Sequence, residues 1–477
     1  MIAVRAARIE GNRAAALAAL LLLGIAAEIG LGDALASGKT NLVTLVVVAA
    51  TFALSFAFLR QAVYGVLVIV FVEGYLRNLF DDPTVLLFKD LAILAIYMRV
   101  IGDRVHRRVS ILPSSPIALP LAVFAGIVFV QMANPHVTSF QQTLVGVRTW
   151  LYYVPLYYVA REMIANEADL RRFAWFILIC AVPIGMLGLY QYVAGSDAYA
   201  NLGPGFANAT FITGDGASVI FRPNATFAWS SNFALFLSLA TLLCLGLLLG
   251  SRGHRRWMLS ALLVALIAAN VLENQRSLLV LLPPLMLLTV ALRRSASTAV
   301  TTALAVVLGL AVVGLIASQG TFLRVDGLIR NEGGIFHVRT MTYAEHFRMA
   351  LRSPIGFGTG ATAIGSRYVA GDIPLFVEFS LAKVAGDLSL VGLAAYLWLF
   401  AVLLKTTLAA HRRASHLRLV GAASLAAATF SFQLLALYAG YDLAVVAVPF
   451  WFLSGAVVSF ASNEAMLTPV KRGGAPS

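Results

Sequence analysis

The sequence has few charged residues. Only 12% of its 477 residues are Asp, Glu, Lys or Arg, whereas 60% are hydrophobic. A soluble domain typically carries about 25% charged residues, so this composition excludes an ordinary soluble protein. The apolar residues stand in continuous runs, such as 43–59 and 299–317, rather than in alternating strands of about 10 residues. We therefore expect an all-α, polytopic membrane protein.

Cysteine is nearly absent as well. The two cysteines, Cys180 and Cys244, each lie inside an apolar run. There is no disulfide framework and no zinc-type spacing, and we expect both residues to be small packing side chains. The histidines lie mostly in basic loops and are not spaced as metal ligands. We expect no metal and no cofactor.

A basic soluble region is also missing, although the net charge is +13. Without such a region there is nothing to carry nucleic-acid binding, and this function class is excluded. Basic loops of a membrane protein orient its helices and contact anionic lipid headgroups. The charge therefore indicates membrane lipid as a partner.

Apolar runs long enough to form helices occur throughout the chain. The sequence predicts 12 to 14 membrane-spanning helices, with fourteen as the best count. The first run, preceded by three arginines, also has features of a signal peptide, but we interpret it as the first membrane helix. The predicted helices are 14–36, 41–59, 61–80, 84–101, 117–133, 143–160, 173–193, 226–249, 257–273, 277–292, 298–317, 377–404, 417–438 and 441–461.

The basic residues give the orientation of these helices. If the N-terminus is cytoplasmic and fourteen helices alternate, 22 of the 35 Lys and Arg residues fall on the cytoplasmic side. Every short loop on that side is then basic, as the positive-inside rule requires. We therefore predict that both termini are cytoplasmic.

The predicted domains follow from the two longer exterior loops. Residues 1–317 hold helices 1–11 with a short exterior loop at 194–222, residues 318–376 form one large exterior loop, and residues 377–477 hold the last helices and a cytoplasmic tail. The large loop contains six arginines and a short amphipathic helix at 337–352. This helix either lies on the membrane surface or packs on the bundle.

Glycines follow the amphipathic helix. Gly356, Gly358 and Gly360 come directly after Ser353-Pro354. This spacing predicts a turn whose backbone amides are free to approach a ligand, which alone is weak evidence for phosphate binding.

Several charged residues fall within or beside apolar runs, where they are costly. Glu73 and Arg77 are four residues apart and can pair along one helix. Lys89 and Asp90 either pair with other helices or line a cavity. Arg148 lies among tyrosines and Trp150, which is typical of either an interfacial aromatic belt or a wall on which sugars stack.

Arginines gather on the exterior side in the fourteen-helix topology. Arg276 interrupts two apolar runs and falls on the same face as Arg148, Arg222 and the large loop. The guanidinium fork suits phosphate oxygens, so this face predicts binding of an anionic headgroup such as a diphosphate. The alternative is ordinary hydrogen bonding to helix ends.

Several motifs follow one another within 221–392. They are Phe221–Phe227, Asn232–Ala234, Gln275–Ser277, Arg339, Tyr343 and Ser353–Gly360. In their order and spacing these motifs resemble those of the O-antigen ligase/polymerase superfamily of bacterial surface-polysaccharide assembly, and the helix layout extends the resemblance over the whole chain.

The resemblance implies a glycosyltransferase of the bacterial inner membrane with a periplasmic active site. Its donor would be an oligosaccharide linked through diphosphate to undecaprenol, and neither a metal nor a nucleotide sugar would be needed. Flippase and chain-length-regulator proteins of the same pathway would be possible partners.

One departure from the family affects the expected acceptor. Glu378 stands where ligases of the family carry a histidine at the start of the helix after the large loop. The resemblance therefore favours the polymerase branch over a ligase. We expect Glu378 or His337 to act as the general base; the alternative for Glu378 is a carboxylate that stabilises a helix N-terminus.

The substrate would be bound mainly by arginines. We expect Arg222, Arg276 and Arg339 to bind the diphosphate, and Arg148 and Tyr343 to contribute to the donor or glycan site. A glycan ligase, a transporter of lipid-linked oligosaccharide and a non-catalytic scaffold stay open as alternatives. No pair of related halves is evident, which counts against a transporter.

Overall fold

The structure is a computed structural model, and most of the residues that it describes are helical. It describes residues 42–80, 85–195, 198, 211–213, 220–273, 282–284, 286–287, 296–316, 335–363, 366, 380–413, 423 and 444–462. Contacts divide the chain into two units. The first comprises Met1–Pro113 and Val182–Ala234, and the second comprises Ser114–Ala181 and Leu235–Ser477.

Within the described residues, the long elements are helices, and the strands form a single short antiparallel pair, β1 (Phe211–Thr213) and β2 (Ile220–Arg222). The helices are α1 (Leu42–Ala57), α2 (Leu59–Phe80), α3 (Val85–His106), α4 (Ala118–Val130), α5 (Phe140–Val147), α6 (Leu156–Met163), α7 (Glu167–Ala194), α8 (Ser230–Gly250), α9 (His254–Leu272), α10 (Ala296–Ile316), α11 (Ile335–Arg352), α12 (Ser380–Arg413) and α13 (Ala444–Ser462).

These helices confirm the expected all-α class, and several of them are compatible with a membrane protein. Within the described residues, five helices are long and apolar enough to cross a membrane. They are Leu59–Leu79, Glu167–Ala194, Ser230–Leu249, His254–Leu272 and Ser380–Arg412. The predicted helices 14–36 and most of 277–292 and 417–438 lie outside the described residues, so the count of fourteen stays a prediction.

The predicted helix 143–160 is wrong. This stretch contains α5, a π-helical turn at Arg148–Tyr152, and α6. Pro155 lies at the start of α6 and has no backbone N–H to continue a helical ladder. Neither of the two eight-residue helices is long enough to span a bilayer.

In the first unit, α2 and α3 pack together and bury an ion pair between them. The Lys89 Nζ lies 2.7 Å from the Glu73 carboxylate, and their side chains are 1% and 12% exposed. Of the two alternatives for Lys89, pairing with another helix is therefore observed. Each charge is the counterion of the other, and this pairing lowers the cost of burying both in an apolar interior.

In the second unit, α12 is the central element. It packs against α4, α11 and α13. Aromatic rings fill the space beside it: Tyr396 of α12 contacts Phe124 of α4 and Trp150 of the π-helical turn, with ring centroids 5.7 and 6.3 Å apart. The turn is thereby held against α12 by packing.

The buried ion pair generates the first prediction. Glu73→Gln or Lys89→Met alone leaves a buried charge without its counterion and should cost about 3–5 kcal/mol of stability. The combined Glu73→Leu/Lys89→Met variant should recover most of this loss, because the interior is then apolar. Thermal unfolding of the purified protein in detergent measures both effects.

A surface pair provides the control. Arg99 and Asp103 are 38% and 35% exposed, and removal of either should cost no more than about 1 kcal/mol. If the Glu73→Leu/Lys89→Met double variant lost as much stability as the two single variants together, the role given to the buried ion pair would be contradicted.

Candidate functional site

The loop after β2 in the first unit carries Arg222. Arg222 ends β2 and is 9% exposed. The next turn is fixed from two sides: the Gln191 side chain both accepts from Ala225 N and donates to Ala225 O, and Asn224 donates to Phe227 O. The loop that begins at Arg222 is therefore buried and rigidly held.

Thr226 inserts this loop into helix α2. Its hydroxyl donates to Phe71 O, and its carbonyl accepts from Tyr75 N at 2.7 Å. In a regular helix, Phe71 O and Tyr75 N would bond to each other, because they are four residues apart. Gly74 allows the approach, because a Cβ there would overlap the backbone of Phe227 and Ala228.

A second loop in the second unit approaches helix α12 in the same way. Phe357 N donates to Gly386 O at 2.7 Å, and Leu390 N donates to Pro354 O at 3.4 Å. Gly386 O and Leu390 N again form an i→i+4 pair. We call residues 353–363, which supply these groups, the glycine loop.

Helix α12 is kinked at this point. Ser389 has φ 73° and ψ 175°, a conformation otherwise nearly confined to glycine and worth about 1–3 kcal/mol of strain. The Ser389 hydroxyl accepts from Gly392 N at 3.4 Å at the start of the continuing helix. The glycine loop thus bonds to the groups that flank the strained residue.

Asp387 is the second connection between the glycine loop and α12. Its carboxylate is fully buried and accepts hydrogen bonds from Thr362 N at 2.6 Å, Gly360 N at 3.2 Å and Trp150 Nε1 at 2.9 Å. Two backbone amides and an indole from separate segments therefore converge on one side chain of α12.

The glycines of the loop serve close packing. Gly360 has φ +92°, and a Cβ there would overlap the Gln142 carbonyl oxygen of α5. On the other side of the contact, a Cβ on Gly146 would overlap Gly360 N. Thr359 adds hydrogen bonds to Val128 O and Gln131 O.

The expectation that the loop amides are free for a ligand is wrong. Bonds to Gly386 O, Gln131 O and the Asp387 carboxylate take four of them, and turns within the loop take three more. The amides are those of Gly356, Phe357, Thr359, Gly360, Ala361, Thr362 and Ala363.

The aromatic segment around Arg148 is buried in the protein. Trp150, Tyr153 and Tyr157 are 5% exposed or less, so these rings form neither an open wall for sugars nor a belt at the lipid interface. The half-buried Arg148 lies over the Tyr153 ring, 5.8 Å from its centroid. This cation–π contact holds the guanidinium near the π-helical turn.

Helix α11 confirms the helix expected at 337–352, and it packs on the bundle. Tyr343 and Phe347 contact Ala382, close to the start of α12. Met341 and Leu351, which the predicted apolar stripe included, are 49% and 61% exposed instead. The inner face of α11 is therefore set by its contact with α12.

The structure describes three of the expected site residues with their side chains and leaves the others untested. Arg148 and Tyr343 both belong to the second unit, and Arg222 belongs to the first. His337 and Arg339 lie within α11, but their side chains are outside the described part of the structure. Arg276 and Glu378 lie outside the described residues altogether.

Sequence reasoning missed two ionisable residues of α12. Asp387 is fully buried and Lys383, one helical turn earlier, is 6% exposed. Both lie inside a run that was predicted to span the membrane. The rule that an ionisable residue at membrane depth marks a functional site would have found them.

No group of three His, Cys, Asp or Glu side chains suitable for a metal ion occurs within the described residues. No model of a known protein family matches the sequence, and no curated protein matches it significantly.

The contact between α5 and the glycine loop generates a prediction. Gly146→Ala and Gly360→Ala should each lower stability by about 3 kcal/mol, because the new methyl group overlaps backbone atoms that cannot move independently. Gly126→Ala in α4 is the matched control, since nothing lies within 4 Å of a Cβ there. Scanning fluorimetry in detergent should show a lower Tm for the first two variants only. Equal Tm values for all three would refute the close approach.

Proposed function

We propose that the protein is a glycosyltransferase of the bacterial inner membrane that polymerises oligosaccharide repeat units linked to undecaprenyl diphosphate. The observation that carries the proposal best is the packing of α11 on the first turn of α12 through Tyr343 and Ala382. Arg339 is one helical turn before Tyr343, and Glu378 is two residues before α12 begins. A candidate phosphate ligand thus lies in α11, and a candidate base lies two positions along the sequence before α12, the helix that α11 contacts.

The proposed reaction needs two kinds of group. A hydroxyl of the acceptor sugar attacks the anomeric carbon of the donor, the bond from that carbon to the diphosphate oxygen breaks, and undecaprenyl diphosphate leaves. Fixed cations stabilise the charge that develops on the leaving diphosphate. Arg222, Arg276 and Arg339 take this role, and Arg148 and Tyr343 contribute to donor binding.

A carboxylate or an imidazole accepts the proton of the attacking hydroxyl. Glu378 is the first candidate because of its place before α12, and His337, two residues before Arg339, is the second. The chemistry requires neither a metal nor a cofactor. The active site faces the periplasm. Helix α11 belongs to the large periplasmic loop that joins the eleventh and twelfth of fourteen membrane helices.

The second candidate function is a glycan ligase of the same kind, which differs in its acceptor. The glutamate at position 378, where ligases of the resembled family have histidine, favours polymerisation. A transporter of the same lipid-linked donor is a third candidate, and it would bind the diphosphate without breaking a bond.

The topology can be tested with single cysteines in a variant that lacks Cys180 and Cys244. Glu345→Cys on the exposed side of α11 should react with a membrane-impermeant maleimide in intact spheroplasts, because this helix lies in the periplasmic loop. Ser110→Cys, which is also exposed, should react only after permeabilisation. Labelling of both cysteines from the same side would overturn the alternation of helices.

The activity can be tested in proteoliposomes that contain undecaprenyl-diphosphate-linked oligosaccharide as the only substrate. The intact protein should produce a ladder of longer glycans on lipid. Arg276→Ala and Arg339→Ala should lower the rate by about 10²–10³-fold, the range for loss of one group that stabilises transition-state charge. Glu378→Gln should also be strongly impaired, since an amide accepts no proton.

The control is Arg352→Ala, which removes an exposed arginine from the same helix α11 and should leave the ladder unchanged. Glycan transfer that appears only after a second lipid acceptor is added would replace polymerase by ligase. Movement of the donor between leaflets without any covalent change would refute the proposed enzymatic activity and favour the transporter function.

A further inference from the structure

The Asp387 carboxylate carries a cost that simple helix packing does not require. It is fully buried in an apolar helix, and removing a carboxylate from water is unfavourable unless hydrogen bonds compensate. The three groups that donate to it are all uncharged. An apolar residue at this position would avoid the cost if α12 needed only to pack.

The three donors explain why an acid stands there. Trp150 reaches Asp387 from the π-helical turn, and the amides of Gly360 and Thr362 reach it from the glycine loop. A backbone amide cannot be removed by substitution, and the Asp387 carboxylate is the acceptor that satisfies these two amides. One side chain thereby fixes both segments to the same point of α12.

Each of the two segments leads directly to a candidate substrate residue. Arg148 is two residues before Trp150, and it is held over Tyr153, which directly follows the turn. The glycine loop directly follows α11, which carries Arg339 and Tyr343. A shift of either segment relative to α12 therefore moves groups that would contact the donor.

We propose that Asp387 is a positioning residue, whose buried carboxylate sets the placement of the Arg148 turn and of α11 relative to α12 for binding of the lipid-diphosphate donor. The inference rests on the proposed function for its effect on turnover, but the linkage of the three segments stands on the hydrogen bonds alone.

The decisive variants are Asp387→Asn and Trp150→Phe. Asparagine keeps the size of the side chain but has one acceptor oxygen for three donors and turns an NH₂ group toward one of them. Phenylalanine removes a single donor and keeps an aromatic ring in the cluster. Asp169→Asn is the control: it neutralises another buried carboxylate of the second unit, which accepts from Ala165 N in a different part of that unit.

Kinetics of glycan elongation, normalised to the folded fraction, give the expected result. Asp387→Asn should raise KM for the lipid-linked donor or lower kcat by roughly tenfold or more, the size expected for loss of hydrogen bonds to a charged group. Trp150→Phe should change the same parameter by less. The double variant should have nearly the same kinetic parameters as Asp387→Asn alone, because both substitutions break the same hydrogen bond between Trp150 and Asp387. The control should behave as the unmodified protein does.

Hydrogen exchange provides a readout that does not depend on activity. Amides within 148–152 and 357–363 should exchange faster in Asp387→Asn than in the unmodified protein or the Asp169→Asn control. Unchanged kinetics in both Trp150→Phe and Asp387→Asn would overturn the positioning role, and so would unchanged kinetics in Trp150→Phe if Asp387→Asn does not fold. An unmodified protein that elongates no glycan would count against the proposed function, and the exchange comparison would then decide the linkage by itself.

Discussion

Every backbone polar group in the interior of a membrane protein must find a partner within the protein, because the hydrocarbon offers no water. A helix satisfies this condition by itself, and a break or a buried loop does not. Two loops meet the condition by bonding to i→i+4 pairs of a neighbouring helix. Thr226 does so in the first unit at α2, and the glycine loop does so in the second unit at α12. These two loops therefore have partners for their backbone groups without being helical themselves.

The same constraint explains two residues that local preference disfavours. Ser389 adopts a strained conformation near which the glycine loop bonds to Gly386 and Leu390. Asp387 is buried without a cation among its donors, since it satisfies two amides of the loop. Strain and buried charge persist only where the surroundings fix them from several sides. Their occurrence within three residues of one helix marks this point of α12 as specialised.

Helix positions could be predicted from the sequence because apolar runs record them directly. The observed ends of α2 and α8, for instance, lie within a few residues of the predicted 61–80 and 226–249. The stretch 143–160 failed because hydropathy does not distinguish a spanning helix from aromatic residues buried around a π-helical turn. Its rings pack against α4 and α12, and this tertiary contact is not visible in the local sequence.

The candidate site was predictable only in part, for a related reason. The sequence indicates which residues carry charge, and α11 was placed correctly, but partners distant in the chain had to come from the structure. Lys89 pairs with Glu73 across two helices, and Asp387 is separated by 237 positions from Trp150. The glycine triplet was the most misleading signal, because glycines that let a ligand approach and glycines that let a neighbouring helix approach have the same spacing.

The occupied amides of the glycine loop bear on how an anionic donor would be bound. A turn of backbone N–H groups attracts an anion by its partial positive charge, and here the Asp387 carboxylate already compensates that charge. A lipid diphosphate in the second unit would therefore depend on side-chain cations rather than on this loop. Arginine keeps its charge under all physiological conditions and presents a fork that matches phosphate oxygens. The proposed site accordingly assigns the diphosphate to arginines. It assigns to the loop and Asp387 the separate task of holding α11, which carries Arg339, and the turn that carries Arg148.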